Sequence, residues 1–387
     1  MRQINHFSMP TKIISGVDCR NNLGKEIKSL GGTIIFVCTD KGISDAGLLV
    51  DILNSFNKKN LAYVIFDEVE LNPTTDNVEH GLNVYCNEQC DILVSIGGGS
   101  AIDTAKAICS LINSNSDNYE RATVVAVPTV AGTGSEVLGK AIVTDINNGG
   151  KELKKLSVPP PSVAVLDPVL LQTLPPHIAA VSGLETLTHA VEGYVSLGSS
   201  ELTDLLNLKA IELVAKYLRP YVANRTNIEA AIGMQNACLY AAIGSSNAGY
   251  GNAYAMANYI HTNFNIHYGL ACALILPNVM EFNTLACPDK FIKIAQLFGE
   301  HTNNLPNHKA ALKAAEAVRN LTKDIGIPQE LSIEGLTEEG IKYLSKYVFD
   351  SVSQRSNPRK NNLQDIIDLY LKSFAVNRTK KMHLLDK

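Results

Sequence analysis

Glu185 and His189 are the first residues whose types and spacing could together do chemistry. They lie four apart in an Ala- and Leu-rich stretch of predicted helix, so both side chains share one helix face. A carboxylate and a neutral imidazole in that arrangement can ligate one Fe²⁺ or Zn²⁺ ion. The alternative is a simple polar pair on a helix, and the spacing alone does not choose between the two.

The segment from residue 250 to 268 is rich in phenols and amides, which favour a polar or hydroxylated substrate. A tyrosine hydroxyl or a protonated imidazole can donate a hydrogen bond, and then a proton, to a carbonyl oxygen. Composition alone does not choose which of these residues would act on a substrate. The whole set comprises Tyr250, Tyr254, Tyr259, Phe264 and Tyr268, interspersed with Asn252, Asn258, Asn263 and Asn265.

Two loops that follow apolar strands have the composition of a dinucleotide site. Residues 97–100 read Gly-Gly-Gly-Ser and open a helix, so backbone N–H groups and the helix dipole can receive a phosphate. Residues 128–136 add hydroxyls and flexible backbone after another strand. Ordinary polar connections are the alternative for both loops. The predicted cofactor contacts here are Gly98, Gly99, Ser100, Asp103, Thr129, Thr133 and Ser135.

Asp40 lies just past an earlier apolar stretch, residues 33–38, which is the first predicted strand. A carboxylate there could accept hydrogen bonds from both ribose hydroxyls and would repel a 2′-phosphate. It therefore favours NAD(H) over NADP(H) as cofactor. The alternative is a helix- or turn-capping aspartate, which fits the spacing equally well.

The elements that must position these residues follow an alternating pattern in the first half of the chain. The near-continuous apolar strands favour a Rossmann-like parallel sheet covered on both faces. After Leu174-Pro175-Pro176 the pattern becomes helical. We predict a dinucleotide-binding α/β domain over 1–176 and an all-helical domain carrying the metal or substrate site over 177–387. Strands are predicted at 33–38, 62–66, 91–96 and 123–127, and helices at about 45–58, 74–88 and 100–113.

Composition sets the broad class of the protein. The chain has 387 residues, 45% of them hydrophobic and 19% charged, with a net charge of −4, which is typical of a globular protein without a nucleic-acid footprint. No secretory signal or membrane-length apolar run is present. We predict a cytoplasmic enzyme with eight scattered, reduced cysteines, Cys86 and Cys90 included. The basic cluster at Arg378, Lys380 and Lys381 is interpreted as a solvated tail.

Several of these segments resemble the iron-type (group III) alcohol dehydrogenases. The first nucleotide loop resembles residues 97–106 here, the second resembles 131–136, the first metal-site helix resembles 187–192, and the segment after the last ligand resembles 276–283. Residues 67–73 and 166–168 fit as well. The resemblance implies reversible hydride transfer between NAD(P)H and a small alcohol or aldehyde. It also implies a homodimer or larger homo-oligomer, and the cofactor contacts named above.

The resemblance breaks at the metal site, which in this family is one Asp and three His. Glu185 stands at the Asp position and His189 is kept, whereas Tyr254, Asn258 and Tyr268 stand where the family has histidines. The first and last of these three would be metal ligands, and the middle one would lie near the nicotinamide and substrate. A phenol has a pKa of about 10 and is a poor ligand at neutral pH. We therefore predict that Fe²⁺ or Zn²⁺ is absent from the usual place. The resemblance then implies catalytic roles for Tyr254, Asn258, His267 and Tyr268, with His189 as a further proton donor.

Three interpretations of function stay open on the sequence. The first is an NAD(H)-dependent oxidoreductase that interconverts an alcohol and an aldehyde or ketone with a degenerate or absent metal site. The second is a non-redox or regulatory dinucleotide-binding protein whose redox site has decayed. The third is a conventional metal-dependent alcohol dehydrogenase in which His261 or His267 replaces a lost ligand, although both could be ordinary polar residues.

Overall fold

A six-stranded sheet forms the centre of the first half of the chain. The computed structural model describes residues 6–115, 122–145, 152–351 and 353–375, so the basic cluster at Arg378, Lys380 and Lys381 lies outside the described residues. The sheet strands are β1 (Lys12–Ser15), β2 (Ile34–Cys38), β3 (Ala62–Phe66), β4 (Ile92–Gly97), β5 (Val124–Pro128) and β8 (Val163–Leu166). Their order is β1-β8-β5-β4-β2-β3, and each neighbouring pair is parallel.

Helices cover both faces of this sheet, as the strand pattern predicts. They are α1 (Leu23–Ser29), α2 (Lys41–Asp45), α3 (Val50–Asn57), α4 (Thr75–Asn87) and α5 (Gly99–Asn115). One core cluster packs Phe36, Phe66 and Leu93 against α4 and α5, and another packs Ile35, Val37 and Val94 against α1 and α3. Strands buried on both faces explain the near-continuous apolar runs.

Three details differ from the sequence-based prediction. The helix expected at 45–58 is two helices, because Gly47 adopts a left-handed backbone (φ +72°) that ends the first one. Cys90 lies beyond the end of α4 rather than on it with Cys86. The prediction also omitted β1, β8 and an antiparallel hairpin of β6 (Lys140–Asp145) and β7 (Glu152–Ser157).

The register of the sheet brings the predicted loops to one edge. Cys38 pairs with Ser95 across β2 and β4, and Gly97 pairs with Pro128 across β4 and β5. The residues that follow these three strands therefore meet at their carboxyl ends, which is where open α/β sheets bind ligands. Asp40 and both nucleotide loops lie at this edge.

From Pro176 onward the named elements are helices. They are α6 (Pro176–Val195), α7 (Glu201–Ala223), α8 (Ile228–Ala248), α9 (Asn252–Phe264), α10 (Tyr268–Asn283), α11 (Pro288–Leu297), α12 (Asn307–Asp324), α13 (Glu338–Asp350) and α14 (Leu363–Ser373). Helix α6 is buried from residue 179 to 195 and lies among α7, α8, α9 and α10. Of the helices described, none combines the length and the apolar character that crossing a bilayer requires.

A buried carboxyl group fixes the start of α9 relative to α6. Glu192 accepts hydrogen bonds from the backbone N–H groups of Gly251 (3.0 Å), Ala253 (2.6 Å) and Tyr254 (3.0 Å). These donors are among the first N–H groups of a helix, which have no acceptor within the helix itself. Burial raises the pKa of Glu192 to about 7, although the three backbone hydrogen bonds lower it. Glu192 therefore sets where Tyr254 is held.

Candidate active site

Asp40 lies beside the glycine turn, and its two carboxylate oxygens have different surroundings. Oδ1 accepts a hydrogen bond from the backbone N–H of Ile43 (3.1 Å) and so caps α2. Oδ2 lies 3.5 Å from where a Cβ on Gly97 would be. The capping interpretation and the ribose interpretation are thus compatible, because one oxygen caps the helix while the other faces the predicted nucleotide loop.

The two nucleotide loops touch each other where the chain has glycines. A Cβ on Gly99 would lie only 2.7 Å from Thr133 Cγ2, closer than real Cβ atoms approach. A Cβ on Gly98 would lie 3.6 Å from the Val130 side chain. Because α5 begins at Gly99, the N–H groups of its first turn face this junction and can receive a phosphate.

Several predicted cofactor contacts are instead engaged inside the protein. Asp103 accepts a hydrogen bond from the Ser135 hydroxyl, accepts another from Ile142 N–H (2.9 Å) and forms an ion pair with Lys106 (2.9 Å). The Ser100 hydroxyl donates to the Leu71 carbonyl (2.5 Å). In the structure Asp103 therefore holds the second loop and β6 in place, whereas Ser100 contacts the segment that precedes α4. Their role as direct cofactor contacts stays a prediction.

Thr129 and Thr133 have different surroundings in the second loop. Thr133 Oγ1 accepts a hydrogen bond from Ser135 N–H (3.2 Å). Thr129 Oγ1 is buried and has no hydrogen-bond partner among the described residues. An unpaired buried hydroxyl is costly, so Thr129 is the predicted contact here that is free to bind a ligand.

The second loop also reaches the helical half of the protein. Thr186 Oγ1 donates to the carbonyl of Ala131 (3.2 Å), and a Cβ on Gly132 would lie 2.9 Å from Glu185 Oε2. Glu185 is 4% exposed. Burial, helped by the charge of Asp103, raises its pKa to about 8, so its neutral form prevails near pH 7.

Four aromatic side chains, which we call the phenol–imidazole cluster, meet deep beside α6. They are His189, Tyr250, Tyr254 and Tyr268. The His189 ring centroid lies 5.4, 5.8 and 6.1 Å from those of Tyr250, Tyr254 and Tyr268, and Tyr250 stacks on Tyr254 at 4.2 Å. The Tyr268 hydroxyl lies 3.5 Å from His189 Nε2. The structure thus brings together three of the residues predicted as proton donors.

Sequence reasoning missed one charged member of this site. Lys140, at the start of β6, donates a hydrogen bond from Nζ to Tyr254 Oη (3.1 Å). Its ammonium also lies 4.3 Å from the ring centroid of Tyr250 and 4.9 Å from that of Tyr254. Lys155 on β7, which is exposed, lies 5.0 Å from the Tyr254 ring centroid. No sequence signal marked these lysines, because the hairpin that carries them was not predicted.

The two lysines change the acidity of the cluster. Burial raises the pKa of the Tyr254 phenol, but the charges of Lys140 and Lys155, with hydrogen bonds from Lys140 and Asn258, outweigh burial and lower it overall. Burial, followed by the charge of Lys140, lowers the pKa of His189 to about 3. At neutral pH the imidazole is therefore neutral, and the Tyr254 phenol is more acidic than that of Tyr268, whose pKa burial raises.

The donor set does not fit the divalent ion that the resemblance implies. Among the described residues, no three His, Cys, Asp or Glu side chains converge where they could hold a metal ion. At the places of the implied ligands stand one imidazole, one buried carboxyl group and two phenols, beside the ammonium of Lys140. Fe²⁺ and Zn²⁺ need deprotonated or neutral-nitrogen ligands, and a nearby positive charge repels them.

The remaining predicted residues lie around the cluster or away from it. Asn258 is buried one turn after Tyr254 and donates to its carbonyl (2.8 Å). His261 Nδ1 contacts the Ile266 carbonyl (2.7 Å), with its ring 6.1 Å from Tyr268. His267 caps α10 by accepting Gly269 N–H (3.1 Å) and lines a separate cavity of about 370 Å³ beside α6. The structure does not bring His267 to the cluster.

Tyr259 and Phe264 also lie elsewhere. The Tyr259 ring packs 6.0 Å from that of Tyr347, and Phe264 packs against the helical core. Asn265 ends α9 in a left-handed conformation, and its side chain accepts a hydrogen bond from Asn72 (3.2 Å). Proximity in sequence therefore overstated how many of these aromatic and amide groups share one pocket.

Comparison with known proteins places this arrangement in a family. Residues 10–168 match the family model described as iron-containing alcohol dehydrogenase, and residues 179–374 match that of the Fe-containing alcohol dehydrogenase family, C-terminal. The chain is 35% identical over 380 residues to a 1,3-propanediol dehydrogenase of Klebsiella pneumoniae, covering 95% of this chain and 98% of that protein.

Two further relatives agree. An NAD-dependent methanol dehydrogenase of Bacillus methanolicus is 32% identical over 383 residues, covering 95% of this chain and 99% of that one. A crystal structure of a 1,3-propanediol oxidoreductase superposes with a TM-score of 0.91 at 34% identity, covering 96% of this chain and all of that one. The parallel sheet and the helical half therefore share their fold with that structure. The chain is an oxidoreductase that belongs to the iron-containing alcohol dehydrogenase family.

Proposed function

We propose that this protein interconverts a small polar alcohol and its aldehyde or ketone with NAD(H), and that it does so without a divalent metal ion. The observation that carries the proposal is the phenol–imidazole cluster. Tyr254 and Tyr268 occupy the places where the resemblance implies metal-ligating histidines, and they pack against His189. A phenol is a poor ligand but a good proton donor.

The cofactor half supports NAD(H). The two loops meet at Gly99 and Thr133, where the start of α5 and the unpaired Thr129 hydroxyl offer hydrogen-bond donors to a phosphate. Asp40 Oδ2 faces the glycine turn, where a carboxylate would accept ribose hydroxyls and repel a 2′-phosphate. The curated relative from Bacillus methanolicus is named as NAD-dependent, which agrees with this assignment.

The chemistry balances with the groups present. NADH held by the two nucleotide loops would supply a hydride to the carbonyl carbon of the substrate, and the C=O π pair would move onto the oxygen. The Tyr254 hydroxyl gives that oxygen its proton, so the products are the alcohol, NAD⁺ and a phenolate that water reprotonates. The cluster adjoins the second nucleotide loop through Glu185 and Gly132, so both reactants can meet at one place.

The substrate class follows from the same surroundings. Phenol hydroxyls, an imidazole and an ammonium line the site, and Asn258 lies one turn from Tyr254. These groups can hydrogen-bond a second hydroxyl of the substrate better than they can solvate an alkyl chain. A short hydroxylated aldehyde is therefore the preferred form of substrate.

The experiment measures NADH oxidation with a panel of short aldehydes, including hydroxylated ones. The protein is first treated with a strong chelator, and separate samples then receive Fe²⁺ or Zn²⁺. We expect turnover that chelation does not reduce and that added metal does not raise, with a preference for hydroxylated substrates.

Two outcomes would contradict the proposal. Turnover that vanishes on chelation and returns with Fe²⁺ or Zn²⁺ would show a metal-dependent enzyme. Tight NADH binding without turnover on any substrate, with or without metal, would instead favour a dinucleotide-binding protein whose redox site has decayed. Metal analysis of the purified protein accompanies both arms.

A further inference from the structure

We infer that Lys140 takes the place of the divalent ion, because its ammonium supplies the site's positive charge next to the Tyr254 hydroxyl. The inference rests on the proposed metal-free function and assigns it a residue that the family resemblance does not name. Lys140 would position Tyr254 as proton donor and would stabilise negative charge on the substrate oxygen.

The first argument is the state of the Lys140 side chain. Its half-buried ammonium has no carboxylate within ion-pair distance among the described residues, and its partners there are the Tyr254 hydroxyl and two phenol rings. Cation–π contacts offset part of the desolvation of an ammonium but do not neutralise it. A positive charge held this way can stabilise an anion formed during the reaction.

The second argument is the way Lys140 is held. Its carbonyl accepts a hydrogen bond from the buried Lys106 ammonium (2.5 Å), and Ile142 N–H on the same strand donates to Asp103 (2.9 Å). Both partners belong to α5, the helix that begins at the glycine turn. The strand bearing Lys140 is therefore fixed to the nucleotide half, while Tyr254 is fixed by Glu192 to the helical half.

The third argument is the opposite effect of the Lys140 charge on a metal ion and on the substrate oxygen. A divalent cation at the Tyr254 position would stand beside an existing ammonium, and like charges at such distances repel strongly in a poorly solvated site. Negative charge that develops on a carbonyl oxygen as hydride arrives would be attracted by the same group. Lys140 thus opposes metal binding and favours the transition state.

The hydrogen bond from Lys140 also leaves the Tyr254 hydroxyl in the role of a donor. Because Tyr254 Oη accepts a hydrogen bond from Lys140, its own proton is free to be donated elsewhere. A substrate oxygen within reach of Tyr254 would receive that proton as the carbonyl carbon receives the hydride. The phenolate left behind would lie beside the ammonium until water returns the proton.

The first arm of the experiment compares three variants of the full chain, Lys140→Met, Lys140→Arg and Lys216→Met. Lys216 is the matched control, because its ammonium also lies over a tyrosine ring, 4.5 Å from the Tyr217 centroid on α7. We expect Lys140→Met to lower kcat by about 10²- to 10³-fold, with the NADH dissociation constant changed less than about twofold. Lys140→Arg should recover part of kcat, and Lys216→Met should match the wild type.

The second arm measures the amount of bound Zn²⁺ and needs no substrate. The variant Glu185→Asp/Tyr254→His/Tyr268→His restores the family's ligand types, and a second version adds Lys140→Ala. After incubation with Zn²⁺ and dialysis, we expect the version without Lys140 to bind Zn²⁺ at least about tenfold more tightly, because the repelling charge is gone.

The outcomes separate this inference from the proposed function. Chelator-insensitive wild-type turnover with an unchanged kcat in Lys140→Met would overturn the role of Lys140 and leave the metal-free function standing. Equal Zn²⁺ affinity in the two ligand-restored variants would overturn the displacement of the metal. If Lys140→Met loses NADH binding through misfolding, Lys140→Arg and the metal arm still decide the question.

Discussion

Replacing Asp103 by Asn tests whether the predicted cofactor residue is chiefly a structural anchor. Lys106 is only 1% exposed and lies 2.9 Å from Asp103, and its ammonium also donates to the carbonyls of Ser135 (3.1 Å) and Leu138 (3.2 Å). Burial lowers the pKa of Lys106, and the charge of Asp103 opposes that shift. The Asp103→Asn variant keeps the size of the side chain, removes the counter-charge and turns one of the two acceptor oxygens into a donor, so one of the hydrogen bonds from Ser135 and Ile142 is lost as well.

The magnitude follows from what remains around the lysine. Breaking a buried ion pair by removing one partner typically destabilises a protein by about 3–5 kcal/mol. Because Lys106 retains carbonyl acceptors and can lose its proton, we expect the lower end, about 3 kcal/mol. At about 2 °C per kcal/mol for a chain of this size, Tm would fall by roughly 6 °C.

The assay is thermal unfolding at pH 7, with NADH binding measured on the same samples. The control is Glu316→Gln, which removes the acid of an exposed i, i+3 pair with Lys313 (2.7 Å) and should leave Tm unchanged. The NADH affinity of Asp103→Asn should fall only slightly, because the variant affects the cofactor site only through the position of the second loop. A Tm equal to that of the control, together with a large loss of NADH affinity, would mean that Asp103 contacts the cofactor directly and that the anchor argument is wrong.

Two further predictions concern the loop junction and a buried acid. Gly99→Ala places a Cβ 2.7 Å from Thr133 Cγ2 and should weaken NADH binding about tenfold or more, measured by fluorescence titration. The control is Gly340→Ala, whose added Cβ would have its nearest atom at 3.5 Å and should leave NADH binding unchanged. Equal NADH affinities of the two variants would refute the close approach of the loops. Burial raises the pKa of Glu136 from 4.5 to about 7, so folding favours the protonated form of this side chain. The free energy of unfolding should therefore fall as the pH rises from 4.5 to 7, by up to about 1.4 kcal/mol per pH unit. Glu136→Gln should flatten that slope in urea unfolding measured from pH 4.5 to 7, and an unchanged slope would assign it to other groups.

The sheet and its loops could be predicted because their physics is local. Strands buried on both faces leave long apolar runs, and a glycine-rich turn between a strand and a helix has few other uses. Ile92–Gly97 and Val124–Pro128 were therefore recognisable with both loops that follow them. The meeting of those loops at one edge then follows from parallel pairing.

The surroundings of individual side chains were harder to predict. His267 precedes a helix, and the sequence does not specify whether its imidazole enters the cluster or caps the helix. The structure has it accept the Gly269 N–H, which satisfies a helix-terminal donor. Asp103 and Ser135 were recognised as important from the motif, but their contact with each other depends on packing between two loops.

The hairpin was missed for a reason that bears on the chemistry. Its strands pair with each other and carry several lysines, so neither shows the apolar run of the main sheet. The phenols alone left the cluster without an obvious source of positive charge, and the loss of metal-ligating histidines looked like decay. Once Lys140 is placed 3.1 Å from Tyr254 Oη, the same substitutions form a consistent set, since phenols tolerate and use a neighbouring ammonium that a metal ion would not. A half-buried ammonium held between aromatic rings carries a cost in desolvation, and the proposed stabilisation of negative charge on the substrate oxygen gives that cost a function that a decayed site would lack.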